Sequence, residues 1–350
     1  MLFNYRVLFQ RSVAFLGILN NTILGLLILY RSPKKLGNYK YLMMYISIFE
    51  IVYSLLDFST VPEIFSKDSA FLIVIDKNST ILPDFFLIYA IVAFCSLFGM
   101  SMAIFAIHFV YRFLVITGST FLQKHHPSKV IGLISFTMFI GIMWSIFSYA
   151  FFRPTIHADS ILSQEYLISR HLDISEISYM GPLFHLPNGT GQYNTNWGAV
   201  GTIGLMTILI GLSFSTVFYC GYCIYQKMKS MSMLRSSIDT SLQSQLFWAL
   251  VFQTLIPVVL MHIPASFGFL FSMFGVSIEL LGKLPTITIF IYPALDPLPN
   301  FFIIKNYRHA ILEFFGCSKR KPSPASSNES NPSRRVIIEL QERVSTMEAN

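Results

Sequence analysis

Long apolar stretches alternate with short polar stretches along almost the whole chain. A helix that spans a bilayer needs about 20 predominantly apolar residues, and seven stretches meet that length. The pattern therefore predicts an all-α membrane protein, a seven-transmembrane helical bundle. The predicted spans run over residues 13–30, 41–61, 85–111, 130–152, 197–225, 246–273 and 284–304.

Composition supports a membrane protein and sets its limits. Hydrophobic residues make up 53% of the 350, and charged residues only 12%, whereas a soluble protein carries about 25% charged residues.

After the seventh span, Ile304, Tyr307, Ile311 and Phe314 recur at helical spacing, which predicts a short amphipathic helix. The remainder is rich in Ser, Pro, Asn and charge, as disordered segments are. We predict a membrane domain over residues 1–316 and a disordered cytoplasmic tail over 317–350.

Basic residues indicate the orientation of the bundle. With the N-terminus outside, the cytoplasmic loops and the tail hold 18 of the 25 lysines and arginines, as the positive-inside rule expects. The sequons at Asn78 and Asn188 then fall in outer loops, where glycosylation takes place. We predict a multi-pass plasma-membrane protein in contact with membrane lipids, glycosylated at both asparagines. The net charge of +7 reflects this topology and requires no nucleic-acid partner.

Cysteines and catalytic motifs contribute little chemistry. None of the four cysteines lies in a predicted outer loop, so we expect no extracellular disulfide framework. Cys220 and Cys223 lie inside a span without further ligands, so no metal site is predicted. Cys317 follows the amphipathic segment and is a candidate for acylation, with an unmodified thiol as the alternative. The sequence holds no HExxH, GxSxG or P-loop motif, so we predict neither an enzyme nor a cofactor.

Three carboxylates interrupt the apolar spans. Glu50 and Asp57 are seven residues apart, so they share one face of the second span. Asp296 lies within the seventh span and is followed by Pro297. Ionisable side chains at such depths usually face the protein interior and mark function. We predict a polar core that rearranges when the bundle changes state, with static hydrogen bonds between helices as the alternative.

The third and sixth spans carry further candidate switch residues. The third ends in Tyr111-Arg112, and such an arginine can hold the bundle shut and later contact a partner, or can simply anchor the helix at the interface. Pro257 would kink the sixth span and let it swing as a lever. His262 lies in the outer half, where a ligand pocket is expected, and a satisfied core histidine is the alternative.

Four segments carry a resemblance to a known family. They read SPKKLGNYKYLMMYISIFE (32–50), CSLFGMSMAIFAIHFVYRF (95–113), QTLIPVVLMHIPA (253–265) and YPALDPLPNFFIIKNYRHAI (292–311). Together they resemble the nematode seven-transmembrane G-protein-coupled chemoreceptors of serpentine receptor class str (class r).

The resemblance implies an odorant receptor of the sensory cilium. Such a receptor binds a small volatile ligand within the bundle and activates a heterotrimeric G protein, with an arrestin or a kinase acting at the tail. By analogy with rhodopsin-like receptors, Arg112 corresponds to the arginine of the acid-arginine-aromatic motif that ends the third helix, and Tyr111 lies where that motif has its acid. Asp296-Pro297 corresponds to the Asn-Pro motif of the seventh helix. The usual disulfide to the second outer loop is absent. Depth alone suggests four ligand contacts: Phe94, Cys95, Met100 and His262.

Two other classes of protein are alternatives. A ligand-gated cation channel subunit of the insect olfactory type would place the N-terminus inside the cell, which opposes the charge pattern. A small-molecule transporter is expected to contain paired broken spans in two repeats, and the sequence does not show them.

Overall fold

The computed structural model describes residues 2–119, 126–188, 192–232, 237–277 and 279–316. The predicted tail, including Cys317, lies outside the described residues. Chain contacts group the residues up to Ala310 in one unit, which contains the helical bundle and its loops, and place those from Ile311 onward in a second.

The bundle is built from the spans that the apolar pattern predicted. The first five are the single helices Leu2–Arg31, Tyr39–Thr60, Asp84–Ile116, His126–Phe151 and Trp197–Ser232. The sixth comprises Ser237–Pro257, a π-helical turn Val258–His262, and Ile263–Met273. The seventh comprises Glu279–Leu295 and Leu298–Ile303. Among the described residues six helices are long and apolar enough to cross a membrane, or seven when Gly282–Ile303 and Lys305–Phe314 count as one bent span.

The third span lies at the centre of the bundle. Every residue from Gly99 to Phe109 is buried, which is the environment that a helix apolar on all sides requires. The final helix, Lys305–Phe314, follows the seventh span after a bend of 98° and confirms the short helix that the sequence predicted. Its Tyr307 is fully buried, and the Tyr307 and Ser32 hydroxyls form a hydrogen bond of 2.7 Å.

Two loops on one side of the bundle fold into β-structure that the sequence did not predict. Strands β1 (Glu63–Lys67) and β2 (Ala70–Asp76) form an antiparallel hairpin, and β3 (Ile177–Met180) pairs antiparallel with β2. Val74 is opposite both Glu63 and Tyr179. A second hairpin joins β4 (His185–Pro187) to β5 (Tyr193–Thr195). We call this side the sheet end and the opposite side the Arg112 end.

Strand β2 is covered on both faces, which explains its unbroken apolar sequence. Ala70, Leu72 and Val74 pack with the short helix Ile156–Leu162. On the other face, Phe71 contacts Phe269 of the sixth span, with ring centroids 4.4 Å apart. The β1–β2 hairpin therefore inserts a side chain into the mouth of the bundle.

Two glycines permit this close approach. A Cβ atom at Gly268 would lie 2.3 Å from the Phe71 ring, and one at Gly181 would lie 2.1 Å from the Phe71 carbonyl oxygen. Only glycine leaves room for contacts this short.

Pairing of β2 with β3 joins the loop after the second span to the loop after the fourth. Glu63 strengthens the junction, because its carboxylate pairs with Arg6 of the first span and Arg170 of the later loop, each at 2.5 Å. Both ion pairs are partly shielded from solvent. The described cysteines Cys95, Cys220 and Cys223 are free. Strand pairing, apolar packing and ion pairs hold the two loops together.

Candidate functional site

An apolar cavity of about 50 Å³ lies between the sheet and the bundle. Its lining comes from β1 and β2, from the loop after β3, and from the third to seventh spans. Phe71 and Ile73 belong to the part contributed by the sheet, and Ala265 and Phe269 to the part contributed by the sixth span. Concave apolar sites with few polar groups are typical of small-molecule binding.

Two of the four predicted ligand contacts line this cavity and two do not. Phe94 and Cys95 belong to its lining. Met100 packs instead toward Gly141 of the fourth span, where an added Cβ atom would lie 2.3 Å from its sulfur. His262 is buried, and its Nε2 atom forms a hydrogen bond of 2.9 Å with the Ser101 hydroxyl.

Phe98 connects His262 to the cavity. The Phe98 ring lines the cavity, and its centroid lies 4.8 Å from that of the His262 ring. His262 therefore lies one side chain away from the space in which we expected it.

Trp144 and Ser148 of the fourth span line the cavity, and sequence reasoning missed both. They are one helical turn apart, so they share a face. The sequence signal was present, since two polar groups at this spacing interrupt an uncharged span, but no pattern showed that their face turned toward a cavity.

Asp296 is fully buried and lies in a cluster of polar side chains. The amide of Gln253 on the sixth span donates to Asp296 Oδ2 at 2.6 Å, and the Asn300 amide donates to Gln253 Oε1 at 3.0 Å. Glu50 of the second span lies close to Asp296, and neither of its carboxylate oxygens has a hydrogen-bond partner among the described residues. This cluster joins the second, sixth and seventh spans.

Asp57 takes part in a different group. Its Oδ1 atom accepts a 2.9 Å hydrogen bond from the side-chain nitrogen of Gln10. The side-chain oxygen of Gln10 in turn accepts a 3.1 Å hydrogen bond from the Arg6 guanidinium. Glu50 and Asp57 share a helix face, yet Asp57 is held by the first span near the sheet end, whereas Glu50 lies near Asp296.

The seventh span breaks at Asp296-Pro297, as its prolines suggested. Pro297 has no N–H, so the Pro293 carbonyl four residues earlier loses its helical donor. The Asn21 amide of the first span donates to that carbonyl at 2.9 Å, and the Asn20 amide donates to the Ala294 carbonyl at 2.8 Å. Side chains of a neighbouring helix therefore satisfy the broken backbone, which is how such breaks are tolerated in a membrane.

Arg112 is buried at the other end of the bundle and joins the third span to the sixth. Its guanidinium donates to the Gln243 carbonyl at 2.8 Å and lies 5.3 Å from the Tyr39 ring centroid. The Tyr39 ring stacks on Tyr111 at 5.6 Å, and its hydroxyl forms a 3.3 Å hydrogen bond with His108. Tyr111 thus supports the ring on which Arg112 rests, and no acid is needed beside Arg112 in this arrangement.

Pro257 marks a change in the geometry of the sixth span. The helix continues through Pro257 and then widens into the π-helical turn Val258–His262. Such turns are frequently found at functional sites. The irregular segment lies between Gln243, which contacts Arg112, and Ala265, which lines the cavity.

The two sequon asparagines are exposed at the sheet end. The Asn78 amide donates to Glu176 at 3.3 Å, and Asn188 follows β4 directly, although residues 189–191 of the second sequon lie outside the described residues. Nearby, burial raises the pKa of Tyr166, and the Glu63 carboxylate adds to this effect. The Tyr166 hydroxyl is therefore harder to ionise than an ordinary tyrosine, which is itself already protonated at neutral pH.

Comparison with known proteins decides the family of the chain. Residues 6–312, which include all seven spans, match the family of serpentine type seven-transmembrane GPCR chemoreceptors named Str. The chain belongs to the Str family of chemoreceptors. The Caenorhabditis elegans G-protein coupled receptor str-217 is 31% identical over 315 residues, which cover 88% of this chain and 90% of the relative. Serpentine receptor class r-10 of the same species is 28% identical over 309 residues, with 86% and 87% covered.

The family confirms the resemblance that the four sequence segments suggested. This Str chemoreceptor is a multi-pass membrane receptor and not an enzyme. A further similar protein, serpentine receptor class r-10 of Caenorhabditis briggsae, is 27% identical over 314 residues. The receptor class therefore stands, and the channel and transporter alternatives are set aside.

Proposed function

We propose that this Str chemoreceptor binds a small, volatile, neutral odorant in the cavity under the sheet and activates a heterotrimeric G protein at the Arg112 end. The observation that carries the proposal is the apolar cavity under the sheet, which is lined in part by the same sixth span that contacts Arg112. Phe98 and Arg112 are 14 residues apart on the third span, or about 21 Å along a helix. The two sites are therefore distinct and must be coupled.

The sixth span is the element that can couple them. Ala265 and Phe269 line the cavity, and Gln243 accepts the hydrogen bond from Arg112. A ligand shifts the equilibrium only as far as it binds one packing of the bundle better than the other. A ligand that displaces the cavity end of the sixth span would turn this helix about the Pro257 region and release Arg112 for the G protein.

A screen of volatile compounds against cells that express the receptor and a heterotrimeric G protein tests this proposal. We expect at least one compound to activate the G protein through the wild type. Ala265→Phe fills the cavity and is expected to lower the response at least tenfold at equal surface level. Leu270→Phe, on an exposed face of the same helix, is the matched control and keeps the response. Equal responses of Ala265→Phe and wild type would place the ligand elsewhere.

We also propose that the sheet end faces outward and the final helix and tail face the cytoplasm, in the plasma membrane of a sensory cilium. The positive-inside distribution of lysine and arginine supports this orientation, as do the exposed sequon asparagines at the sheet end. An arrestin or a kinase would then meet the serine-rich tail.

Glycosylation tests the orientation. We expect a glycosidase to increase the gel mobility of the wild type, and we expect Asn78→Gln combined with Asn188→Gln to abolish the shift. Asn20→Gln, within the first helix, is the control and keeps it. A wild-type receptor without any glycosidase-sensitive form would contradict an outward sheet end.

A further inference from the structure

A surface at the Arg112 end carries exposed positive charge on two separate elements of the chain. Lys34 begins a short turn after the first span, and Lys40 lies in the first turn of the second span. Lys305 and Arg308 lie in the first turn of the final helix. All four side chains are exposed. We call these four residues the basic rim.

A buried contact fixes the two halves of the basic rim relative to each other. Tyr307 of the final helix is fully buried, and its hydroxyl forms a 2.7 Å hydrogen bond with the Ser32 hydroxyl. Lys34 follows closely after Ser32 in the loop, and Lys305 and Arg308 flank Tyr307 in the helix. The cations of the loop and those of the helix therefore lie on neighbouring elements that do not move independently.

The protein itself does not neutralise the basic rim. Residues 31–49 and 297–310, which surround the two elements, contain no Asp or Glu and add Arg31 and Lys35 to the positive charge. Among the residues that the structure describes, none of the four rim cations takes part in an ion pair. An anion at the rim is therefore attracted by several cations at once and displaces no protein carboxylate.

The basic rim begins where the apolar outer surface of the bundle ends. Leu29 and Tyr30 are 64% and 79% exposed at the end of the first span, and Phe302 is 65% exposed at the end of the seventh. The Lys40 Nζ atom lies over the exposed Tyr41 ring, 5.1 Å from its centroid. Exposed tyrosines at the ends of spans are typical of the headgroup level of a bilayer. The rim cations therefore lie at the depth of lipid headgroups.

We propose that the basic rim binds an anionic phospholipid whose headgroup carries several phosphate charges, as phosphorylated inositol lipids do. Clusters of Lys and Arg beside a span or on an amphipathic helix attract such lipids. A headgroup with one charge can neutralise only one half of the rim, whereas several phosphates can contact both. The Arg308 guanidinium suits bidentate contacts with phosphate, and the acyl chains lie along the exposed apolar surface of the first span. This inference goes beyond the proposed function, because it needs neither an odorant nor a G protein.

Three soluble probes test the class of the lipid. They are dioctanoyl phosphatidylinositol bisphosphate, dioctanoyl phosphatidylserine and inositol trisphosphate, which has no acyl chains. Binding to the purified full-length receptor in uncharged detergent is measured as a rise in melting temperature. We expect the bisphosphate lipid to bind at least tenfold more tightly than either of the other two probes.

Each other result with the probes overturns the proposal. Equal binding of phosphatidylserine would show a diffuse attraction to any anionic lipid. Equal binding of inositol trisphosphate would show a site for a soluble phosphate compound. Absence of binding by the bisphosphate lipid would show that the rim holds no lipid of this class.

Two double variants assign the binding to the two halves of the basic rim. Lys34→Gln with Lys40→Gln removes the cations of the loop and the second span, and Lys305→Gln with Arg308→Gln removes those of the final helix. Each is expected to weaken binding of the bisphosphate lipid about 30-fold, as expected for the loss of two contacts between a cation and an anionic lipid. All four positions are exposed, so the melting temperature without lipid should stay at the wild-type value.

A matched control removes the same charge elsewhere at the Arg112 end. Lys227→Gln with Lys229→Gln changes two exposed lysines near the C-terminal end of the fifth span and should keep the wild-type affinity for the lipid. Rim variants that bind as tightly as the wild type, or a control that loses as much affinity as they do, would overturn the assignment of the lipid to the basic rim.

Discussion

The variant Arg112→Ala is expected to reach the cell surface at the wild-type level and to lose activation of the G protein by ligand. Arg112 is 2% exposed, and the groups that hold it are a backbone carbonyl and an aromatic ring. The wild-type guanidinium becomes available to a partner only when the third and sixth spans separate. Alanine removes the contact that the G protein would gain at that moment.

The measurement compares ligand-dependent G-protein activation at matched surface expression. Lys227→Ala removes an exposed cation near the C-terminal end of the fifth span and serves as the control for a general loss of positive charge. It is expected to signal normally. Normal signalling by Arg112→Ala would show that Arg112 only anchors the helix.

A second variant separates the closing role of Arg112 from its contact with the partner. Tyr39→Leu removes the ring beneath the guanidinium but leaves Arg112 itself. A cation–π contact contributes about 0.5–2 kcal/mol, so its loss favours the open bundle by roughly 2- to 30-fold and raises basal activity. Tyr41→Leu, on the exposed side of the same helix, is the matched control and keeps basal activity low.

The helical architecture was readable from the sequence because each span must bury about 20 residues in a uniform apolar solvent. The strands were not readable, since β2 reads AFLIVID and is covered on both faces. An unbroken apolar run of this length lacks the alternation that identifies a strand. Its pairing with β3 also depends on residues about 100 positions away along the chain, which no local pattern specifies.

The candidate switch residues were found by a different kind of signal. Asp296 and Arg112 were visible because charge is costly in a membrane. Their partners were not visible, because Gln253 is a neutral amide and Gln243 contributes only a backbone carbonyl, and both roles follow from the packing of neighbouring helices. The positions of Met100 and His262 show the same limit, since depth along a helix does not specify the face that turns toward a cavity.

The variant Asp296→Ala is also expected to reach the surface and to fail in signalling, for a reason distinct from that of Arg112. Asp296 precedes the break at Pro297, and Asn300 follows it. The Gln253 amide binds both. The sixth span is therefore fastened to the two parts of the seventh, so movement at the cavity can reach Gln243. Without Asp296 the buried Gln253 donor is unpaired, which costs about 1–3 kcal/mol.

Conservative and paired variants show whether the hydrogen bond carries this coupling. Asp296→Asn keeps an oxygen that can accept from Gln253, so it is expected to retain most of the response. Asp296→Leu and Gln253→Leu should each lower maximal G-protein activation at least tenfold. The double variant should signal no worse than either single variant, because the effects of substituting two residues joined in one network are not additive. Losses that multiply in the double variant would show that the two side chains act separately, and the sixth span would then need another attachment to transmit the signal.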